Sequence, residues 1–346
     1  MPVTIVVGAQ YGSEGKGKVA HFLVKEMAAA AAIRVGGPNS GHTAVADGNT
    51  AVIFQQLPTA ALCPRALCMI APGSYIDLQR LLKEIHSLDL RPGRVIIDPS
   101  AVMIESSDRE EERSSGLRDA IGSTLSGTGA ALQRRLSRTR DVRFAKDEPS
   151  LAPYIHPPAE VLRGLLHRNE RVILEGTQGF GLSVLHSPDY PHVTSRDTTA
   201  ASFAAEAGLS PLDVDDIVLV IRAFPIRVAG RSGHLANEID WPTVTRGSRS
   251  PKDIIEHTSV TRAVRRVARF SPDVVLAAIT INNPTRLVLN HLDYVDYSAG
   301  ILRFPTPTVM SFVRDVEASI DRKVDYWGLG PATLIPATQA QLRLRA

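Results

Sequence analysis

Residues 3–18 read VTIVVGAQYGSEGKGK, and this stretch decides the fold of the chain. Its first five residues are β-branched and mostly apolar, which predicts a buried strand over residues 3–7. The glycines that follow let backbone N–H groups turn toward one point, and Lys16 and Lys18 add positive charge. We expect a helix to begin near residue 18. A strand, a glycine-rich loop and a helix N-terminus together form a binding site for phosphate.

The composition is that of a soluble globular protein. The chain has 346 residues, of which 44% are hydrophobic and 22% charged. No apolar run approaches the roughly 18–20 residues of a membrane span, and the strand at the N-terminus leaves no room for a signal peptide. Two cysteines without a partner cluster argue against a disulfide framework and a zinc site. We therefore expect a cytoplasmic protein.

The arginines are clustered although the formal net charge is only +3. They concentrate in residues 134–143 and 262–269, which either form solvated helix faces or bind anions. Neither cluster is interleaved with aromatic residues, so nucleic acid is not an expected partner, and neither is a membrane.

Apolar runs alternate with helical patterns along the chain, which predicts an α/β fold with a mostly parallel central sheet flanked by helices. Predicted strands cover residues 3–7, 51–54, 67–70, 94–97, 171–174, 216–221, 273–281 and 286–289. Predicted helices cover residues 18–30, 77–88, 158–168, 198–207 and 308–319, and the alanine-rich segment 27–33 is interpreted as the end of a packed helix. The polar segments 114–140 and 222–249 are expected to be binding loops. We expect residues 1–346 to form one domain.

The glycine loop departs from the standard P-loop pattern G-x-x-x-x-G-K-[ST]. Six residues separate Gly8 from Gly15, and Lys16 is followed by Gly17. The motif GxQxGxEGKGK resembles the N-terminal loop of adenylosuccinate synthetases, in which an aspartate stands at the position of Ser13.

The resemblance continues along most of the chain, with motifs in the family's order. They are GGPNSGHT at residues 36–43, IGSTLSGTG at 121–129, EGTQG at 175–179 and YPHVTSRDTT at 190–199. The resemblance implies a P-loop-NTPase-like fold with long binding loops, in a chain close in size to archaeal members. It also implies an ATP-dependent ligase that forms a carbon–nitrogen bond.

In this family a nucleoside triphosphate phosphorylates the 6-oxygen of a purine monophosphate, and the amine of L-aspartate then displaces the phosphate. The resemblance implies catalytic roles for Ser13, Lys16 and His42, where His42 is the acid that assists the 6-oxygen. It implies magnesium ligands in Ser13 and the Gly41 carbonyl. The residues implied for the triphosphate are Gly12, Ser13, Gly15, Lys16, Gly17, Lys18, Gly41, His42, Thr43, Asn290, Asp293, Gly330 and Pro331.

The resemblance assigns two further groups of ligands. The purine monophosphate is expected at Ser13, Asn39, Ser123, Thr124, Arg138, Gln178, Thr194 and Gly230. L-Aspartate is expected at Thr258, Ser259, Val260, Thr261, Arg262 and Arg265.

Some of these assignments stay open. Arg138 corresponds to an arginine that family members donate across a homodimer interface, and Arg135 is the alternative. A second arginine of the family's aspartate loop falls on Ala263, so Arg262 is the candidate to replace it. His291 stands where the family has a lysine beside the base-reading aspartate. The donor is therefore ATP or dATP, with GTP still open.

Ser13 bears on the identity of the purine. The family's aspartate takes the N1 proton, which serine does not do unaided at neutral pH. A shorter side chain makes room for a 2-amino group, and the substitution resembles the bacteriophage branch of the family, whose members join aspartate to dGMP. Glu14 or a water would then remove the N1 proton. The alternatives are an ordinary adenylosuccinate synthetase that uses IMP and GTP, and an inactive nucleotide-binding regulator.

The space beside residue 13 yields a first testable prediction. Ser13→Asp should lower kcat/KM with dGMP, because the longer carboxylate fills the volume assigned to the 2-amino group. Phosphate release in steady-state assays measures this. Equal use of dGMP by both proteins would show that the space argument is wrong.

Overall fold

The structure is a computed structural model that describes residues 2–46, 50–258 and 262–342. Its strands are β1 Val3–Gly8, β2 Ala31–Arg34, β3 His42–Val45, β4 Ala51–Phe54, β5 Leu67–Ile70, β6 Tyr75–Ile76, β7 Val95–Ile97, β8 Val102–Met103, β9 Val172–Glu175, β10 Val214–Arg222, β11 Ile226–Arg227, β12 Glu238–Ile239, β13 Arg266–Ala268, β14 Arg286–Asn290, β15 Tyr326–Gly330 and β16 Thr333–Pro336. Its α-helices are α1 Lys16–Glu26, α2 Leu78–Ser87, α3 Ser106–Ser114, α4 Leu117–Ile121, α5 Thr128–Leu136, α6 Pro158–His167, α7 Ala200–Glu206, α8 Trp241–Ser248, α9 Asp273–Asn282, α10 Tyr297–Leu302, α11 Pro307–Ile320 and α12 Ala337–Leu342.

Within the described residues, nine strands form one sheet in the order β16-β15-β14-β10-β1-β9-β2-β5-β7. Every pair in it is parallel except β15 with β16, which is antiparallel. The predicted fold class, a mostly parallel sheet flanked by helices, is confirmed. The expectation of one domain over residues 1–346 stays a prediction.

Strand β1 is the centre of this sheet, between β10 and β9, and all six of its residues are buried. Val3, Ile5 and Val7 pack on the face covered by α6, α7, α9 and α11. Val6 packs on the opposite face, which α1 covers through Val19 and its neighbours. The continuous apolar run is therefore explained by burial on both faces, as is usual for a central parallel strand.

The first helix is shorter than predicted, and the segment that follows it is not helical. Helix α1 ends at Glu26, and Ala28 has a φ of 47°, a left-handed conformation that a continuing helix does not allow. The prediction that residues 27–33 end a helix is wrong, because β2 begins at Ala31 between β5 and β9. Alanine favours helices locally, but burial in the sheet decided this segment.

The predicted strand over residues 273–281 is also wrong, because this segment is the helix α9. Its fully or nearly buried residues are Val275, Ala278 and Asn282, a helical spacing. Asn283, with a φ of 43°, ends the helix. The β-branched residues of the run were misleading, whereas its length of ten residues favoured a helix.

The two polar segments expected to be loops contain regular structure. Segment 114–140 includes α4 and α5, with a loop at 122–127 between them. Segment 222–249 includes β11, β12 and α8. Local hydrogen bonding in these short elements was not visible in their polar composition.

Several neighbouring strands end in polar residues at one edge of the sheet. Arg34, Glu175, Arg222 and Asn290 are the last residues of β2, β9, β10 and β14, and each is at most 3% exposed. The glycine loop follows β1 at the same edge. Ligands of parallel α/β proteins bind beyond the carboxyl ends of the strands, so this edge is where a site is expected.

No helix in the described ranges is long and apolar enough to span a membrane.

Candidate active site

A cavity of about 1330 Å³ opens at the carboxyl edge of the central sheet. Most of the predicted ligands line it, drawn from segments that are far apart in the sequence. These residues are Gly12, Ser13, Gly15, Lys16, Gly17, Asn39, Gly41, His42, Thr43, Ser123, Thr124, Gln178, Thr194, Gly230, Thr258, Arg262 and Arg265.

The other predicted triphosphate ligands lie behind the glycine loop and outside the cavity lining. Lys18 donates from Nζ to the Gly330 carbonyl at 3.0 Å. Asn290 donates from Nδ2 to the Glu14 carbonyl at 2.8 Å. The predicted ligands that do not line the cavity are Lys18, Asn290, Asp293, Gly330, Pro331 and Arg138. Their binding roles stay predictions, and Ser259, Val260 and Thr261 lie outside the described residues.

The glycine loop takes its shape from three positions with positive φ, two of them adjacent and the third two residues further on. Gly12 has a φ of 91°, Ser13 of 55° and Gly15 of 89°. Glycine adopts this region without a steric penalty, but for Ser13 the left-handed backbone costs about 1 kcal/mol of conformational energy. The side chain of Ser13 is exposed in the cavity.

Glu14 holds the loop together from inside. Its carboxylate is fully buried and accepts hydrogen bonds from the backbone N–H groups of Gln10, at 3.2 Å, and Gly12, at 2.8 Å. Its other oxygen accepts from Nζ of Lys16 at 2.7 Å. Both carboxylate oxygens are thus engaged, and Glu14 does not line the cavity. Of the two candidates for removing the N1 proton, Glu14 is therefore unsuited and a water remains.

His42 is the first residue of β3 and lies against the start of α1. A side chain at Gly17 would place its Cβ 2.9 Å from Cβ of His42, so this close packing requires glycine. Nδ1 of His42 lies 2.5 Å from Oε1 of Glu175, whose other oxygen accepts from the backbone N–H and hydroxyl of Thr59. Nε2 is buried and has no hydrogen-bond partner among the described residues. The glutamate therefore fixes the orientation of the ring, and Nε2 is the ring nitrogen without a partner in the described structure.

Burial, together with the nearby Arg34 guanidinium, lowers the pKa of His42 from 6.5 to about 4. The Glu175 carboxylate acts in the opposite direction. The pKa of Glu175 is itself lowered: burial raises it, but the contacts with His42 and Arg34 outweigh that effect. Without ligands, His42 is thus a neutral imidazole, and negative charge on a bound substrate would raise its affinity for a proton.

Basic side chains outnumber acidic ones in the described lining of the cavity. The basic residues are Lys16, Arg118, Arg227, Arg231, Arg262 and Arg265, and the acidic ones are Glu112, Asp119 and Glu256. Arg227 is 2% exposed, lies 4.1 Å above the ring of Tyr11 and pairs with Asp189 at 2.6 Å. This excess of positive charge suits anionic ligands such as phosphates and carboxylates.

The loop at 122–127 brings hydroxyl groups to the cavity wall. Ser123 accepts from the backbone N–H of Leu125 at 3.2 Å, which is a turn-capping contact. The backbone N–H groups of Gly127 and Gly129, at the start of α5, donate to the buried carboxylate of Glu112 at 2.7 and 2.8 Å. Because Glu112 already occupies this helix N-terminus, the hydroxyls in the lining, including that of Thr124, are the groups placed to meet a phosphate.

Arg262 and Arg265 both line the cavity next to Thr258. Arg262 is exposed there, with a φ of 55°. Nε of Arg265 donates to the His257 carbonyl at 3.2 Å and lies 4.0 Å from Glu256. Two guanidinium groups in one wall are able to bind two carboxylates.

The predicted magnesium ligands are the Ser13 hydroxyl and the Gly41 carbonyl. Both residues line the cavity, and oxygen atoms are the ligands that Mg²⁺ prefers. Both are uncharged, and the described residues contain no group of three or more acidic, histidine or cysteine side chains able to hold a metal. The two residues therefore fit Mg²⁺ only as it is bound to nucleotide phosphates, which supply the remaining ligands.

Sequence reasoning missed several residues of the site. Among them Glu175 and Arg222 are polar residues at the ends of apolar strands. A charged residue at the end of a buried strand was the sequence signal that could have identified them. Tyr11 and Arg227 had no comparable signal, because their contact joins two distant segments.

Known proteins resemble this chain along nearly its whole length. The sequence profile of adenylosuccinate synthetase matches residues 5–148 and 140–302. The adenylosuccinate synthetase of Methanococcus maripaludis is 35% identical over 339 residues, which cover 96% of this chain and 97% of that protein. That of Pyrococcus horikoshii is 33% identical over 338 residues, covering 96% of each chain.

Two solved structures have a similar fold. Succinoaminodeoxyadenylate synthetase (PurZ) of cyanophage S-2L, bound to dGMP and to dATP as an energy donor, has a TM-score of 0.82 and 31% identity, and the match covers 99% of this chain and 97% of that one. Adenylosuccinate synthetase of Plasmodium falciparum has a TM-score of 0.84, covers 97% of this chain and 100% of its own, and is 18% identical, so it supports the fold alone.

The lowered pKa of His42 predicts a pH dependence of stability. Between pH 6.5 and about 4 the unfolded chain binds a proton on this residue that the folded protein does not, so stability falls as pH falls through this window. His42→Asn, which does not titrate, should make the decline shallower. Denaturant unfolding at several pH values measures it. His167→Asn, at the exposed end of α6, is the control and should follow the original protein. Equal slopes for all three proteins would contradict the assignment.

Proposed function

Because the chain belongs to the adenylosuccinate synthetase family, we propose that it joins L-aspartate to C6 of dGMP with hydrolysis of ATP or dATP. Members of this family are ligases that form carbon–nitrogen bonds, and this chain is one of them. The proposal concerns its substrates. The product would be 2-amino-2′-deoxy-N6-succinyladenylate, a precursor of 2-aminoadenine nucleotides for phage DNA.

Ser13 is the observation that carries the choice of purine. Its side chain is exposed in the cavity, whereas the carboxylate of the adjacent Glu14 is turned inward and bonded to the loop itself. A purine placed against the loop therefore meets a short hydroxyl group there. That leaves space and a hydrogen-bond acceptor for a 2-amino group.

The comparisons support the proposal without deciding it. The cyanophage PurZ, at 31% identity, was solved with dGMP and dATP. The archaeal relatives, at 33–35% identity, are named adenylosuccinate synthetases. Overall similarity thus favours neither substrate, and the residue facing the purine becomes the relevant feature.

The reaction would proceed in two steps. In the first, the 6-oxygen of dGMP attacks the γ-phosphorus of the triphosphate, the bond to the nucleoside diphosphate breaks, and the N1 proton leaves to a water. In the second, the amine of aspartate attacks C6 and gives up one proton to water, the bond from C6 to the phosphorylated oxygen breaks, and inorganic phosphate leaves. Lys16 and the loop N–H groups would take up charge on the transferred phosphoryl group.

His42 would act at the 6-oxygen through Nε2. This atom is buried and unpartnered among the described residues, and Glu175 holds the opposite ring nitrogen. In the ligand-free protein the ring of His42 is neutral. The negative charge of the bound substrates would raise its pKa, so that the ring takes up a proton from the substrates or from solvent. The protonated ring, paired with Glu175, then donates to the 6-oxygen as it becomes part of a leaving group. Mg²⁺, held by Ser13, Gly41 and the phosphates, would neutralise phosphate charge when bound.

Arg262 and Arg265 are proposed to bind the two carboxylates of L-aspartate. Both line the cavity, and the exposed Arg262 would supply the second guanidinium, which this chain lacks at Ala263, where the family has an arginine. Bidentate pairs of this kind orient a ligand as well as attract it. The amine would thereby be directed toward C6.

The proposed donor is ATP or dATP. His291 is half-buried and lines the cavity, with a φ of 62° and an Nδ1 that has no partner in the described part of the chain. Burial raises the pKa of Asp293, and the Lys18 charge acts in the opposite direction. In the family pattern a lysine stands beside the aspartate that reads guanine, and here His291 replaces that lysine, so we propose adenine as the base of the donor.

A homodimer is proposed from the position of Arg138. Arg138 is exposed and lies outside the cavity lining, so it does not serve the site of its own chain. The alternative, Arg135, donates to the Pro72 carbonyl at 2.7 Å and is committed within its own chain. Arg138 is therefore the better candidate to reach a monophosphate in a second copy.

The role of His42 predicts a separation of catalysis from binding. His42→Ala should lower kcat by about 10²–10³-fold, the contribution usual for a positioned proton donor. Affinities for dGMP and for the triphosphate should change less than about threefold, because other groups hold the phosphates. Stopped assays and calorimetry measure the two effects, with His167→Ala as control. A variant with unchanged kcat would remove His42 from the mechanism.

The substrates are tested by phosphate release from purified protein. Each of dGMP and IMP is paired with ATP, dATP and GTP, with and without L-aspartate, and products are identified by mass spectrometry. We expect dGMP with ATP or dATP to exceed IMP by at least roughly tenfold in kcat/KM, about 1.4 kcal/mol of discrimination or more.

The other outcomes identify the alternatives. Preference for IMP with GTP would make the protein an ordinary adenylosuccinate synthetase, the activity named for its archaeal relatives. Release of no phosphate with any pair would leave a nucleotide-binding regulator.

A further inference from the structure

Arg222 is a fully buried arginine to which the proposed chemistry assigns no role. It is the last residue of β10, and its backbone is fixed by Gln10: its N–H donates to Oε1 of Gln10 at 2.9 Å, and its carbonyl accepts from Nε2 at 3.3 Å. The guanidinium therefore projects from a rigid position at the carboxyl edge of the sheet.

The guanidinium contacts two different loops. Nη1 donates to the backbone carbonyl of Ser13 at 3.0 Å, and Nη2 donates to Oε1 of Glu256 at 2.6 Å. Nε has no partner within the described ranges. One side chain thus joins the residue that faces the purine to the segment that leads into the aspartate loop.

Glu256 extends this connection to the aspartate site. Its carbonyl accepts from the backbone N–H of Arg265 at 2.9 Å, and its carboxylate lies 4.0 Å from Nε of the same arginine. The pKa of Glu256 is lowered to about 2: burial raises it, and the guanidinium groups of Arg222 and Arg265 more than offset this. The ion pair is therefore intact at every pH at which the protein would work.

We propose that Arg222 is a positioning residue that couples the binding of L-aspartate to the conformation of Ser13. This inference rests on the proposed function. When an aspartate carboxylate draws on Arg265, Glu256 loses part of its interaction with that arginine and pairs more strongly with Arg222. The guanidinium is shared between Glu256 and the Ser13 carbonyl, so the change reaches the Ser13 peptide.

The conformation of Ser13 makes it sensitive to this contact. Its φ of 55° is unfavourable for a residue with a Cβ, and the Arg222 contact to its carbonyl helps to compensate. Arginine suits this task because its rigid fork reaches two acceptors at once, whereas lysine offers one ammonium group.

The test is a coupling measurement. The affinity of a β,γ-methylene ATP analogue is determined by calorimetry in the presence of dGMP, with and without L-aspartate. In the original protein we expect aspartate to tighten analogue binding by about tenfold, within the usual range for coupled sites. In Arg222→Lys the factor should fall below about twofold, while affinity without aspartate changes less than about threefold. Glu256→Gln should act in the same direction.

Arg286→Lys is the matched control. Arg286 pairs with Asp216 at the opposite, amino-terminal edge of the same sheet, and it contacts neither loop. This variant should keep the original coupling. If the role of Arg222 were purely structural, its substitution would weaken analogue binding equally with and without L-aspartate, and the coupling factor would stay unchanged.

Two results would overturn the inference: an original coupling factor retained in both Arg222→Lys and Glu256→Gln, or no coupling in the original protein. If one variant fails to fold, the other decides. Should the protein prove to use IMP, the same measurement with IMP tests the coupling, so failure of the proposed substrate and failure of the inference are separable.

Discussion

Burial of charge at the carboxyl ends of parallel strands is the constraint on which this site depends. Arg34, Glu175 and Arg222 end three strands of the central sheet and are almost inaccessible to solvent. A buried charge that loses its partner costs roughly 3–5 kcal/mol, so each must be paired. Their partners come from other segments of the chain. Because the buried charges must be paired, those segments lie over the edge of the sheet. The cavity is the space between them.

The glycine loop shows how the same need divides structural from chemical roles. The carboxylate of Glu14 is bonded to the loop's own N–H groups and to Lys16. Although Glu14 is next to the cavity, it is therefore not available for proton transfer. His42 lines the cavity and its Nδ1 is held by Glu175, which is why we propose this residue for the proton chemistry. Ser13 is exposed in the cavity, and in the proposed function its short side chain leaves room for a larger base edge.

Much of the fold was readable where local patterns and burial agree. The apolar strand β1 and the glycine loop were predicted because both have strong local signals. Segment 273–281 was assigned wrongly because β-branched residues occur in a buried helix as well as in a strand, and periodicity is weak when most residues are apolar. The alanines before β2 favour a helix locally, but the segment forms a strand because it pairs with β5 and β9 in the sheet.

The sequence by itself determined the α/β class, the phosphate loop and the order of motifs that indicate a purine–aspartate ligase, because each is encoded within a short segment. Only the tertiary structure decided which acid does what. His42 and Glu175 are 133 positions apart, and Ser13 and Arg222 are 209 apart. Their contacts depend on strand order and register, and no local pattern carries that information. Whether a buried glutamate supports a loop or a histidine follows from which partner the fold places within hydrogen-bond distance.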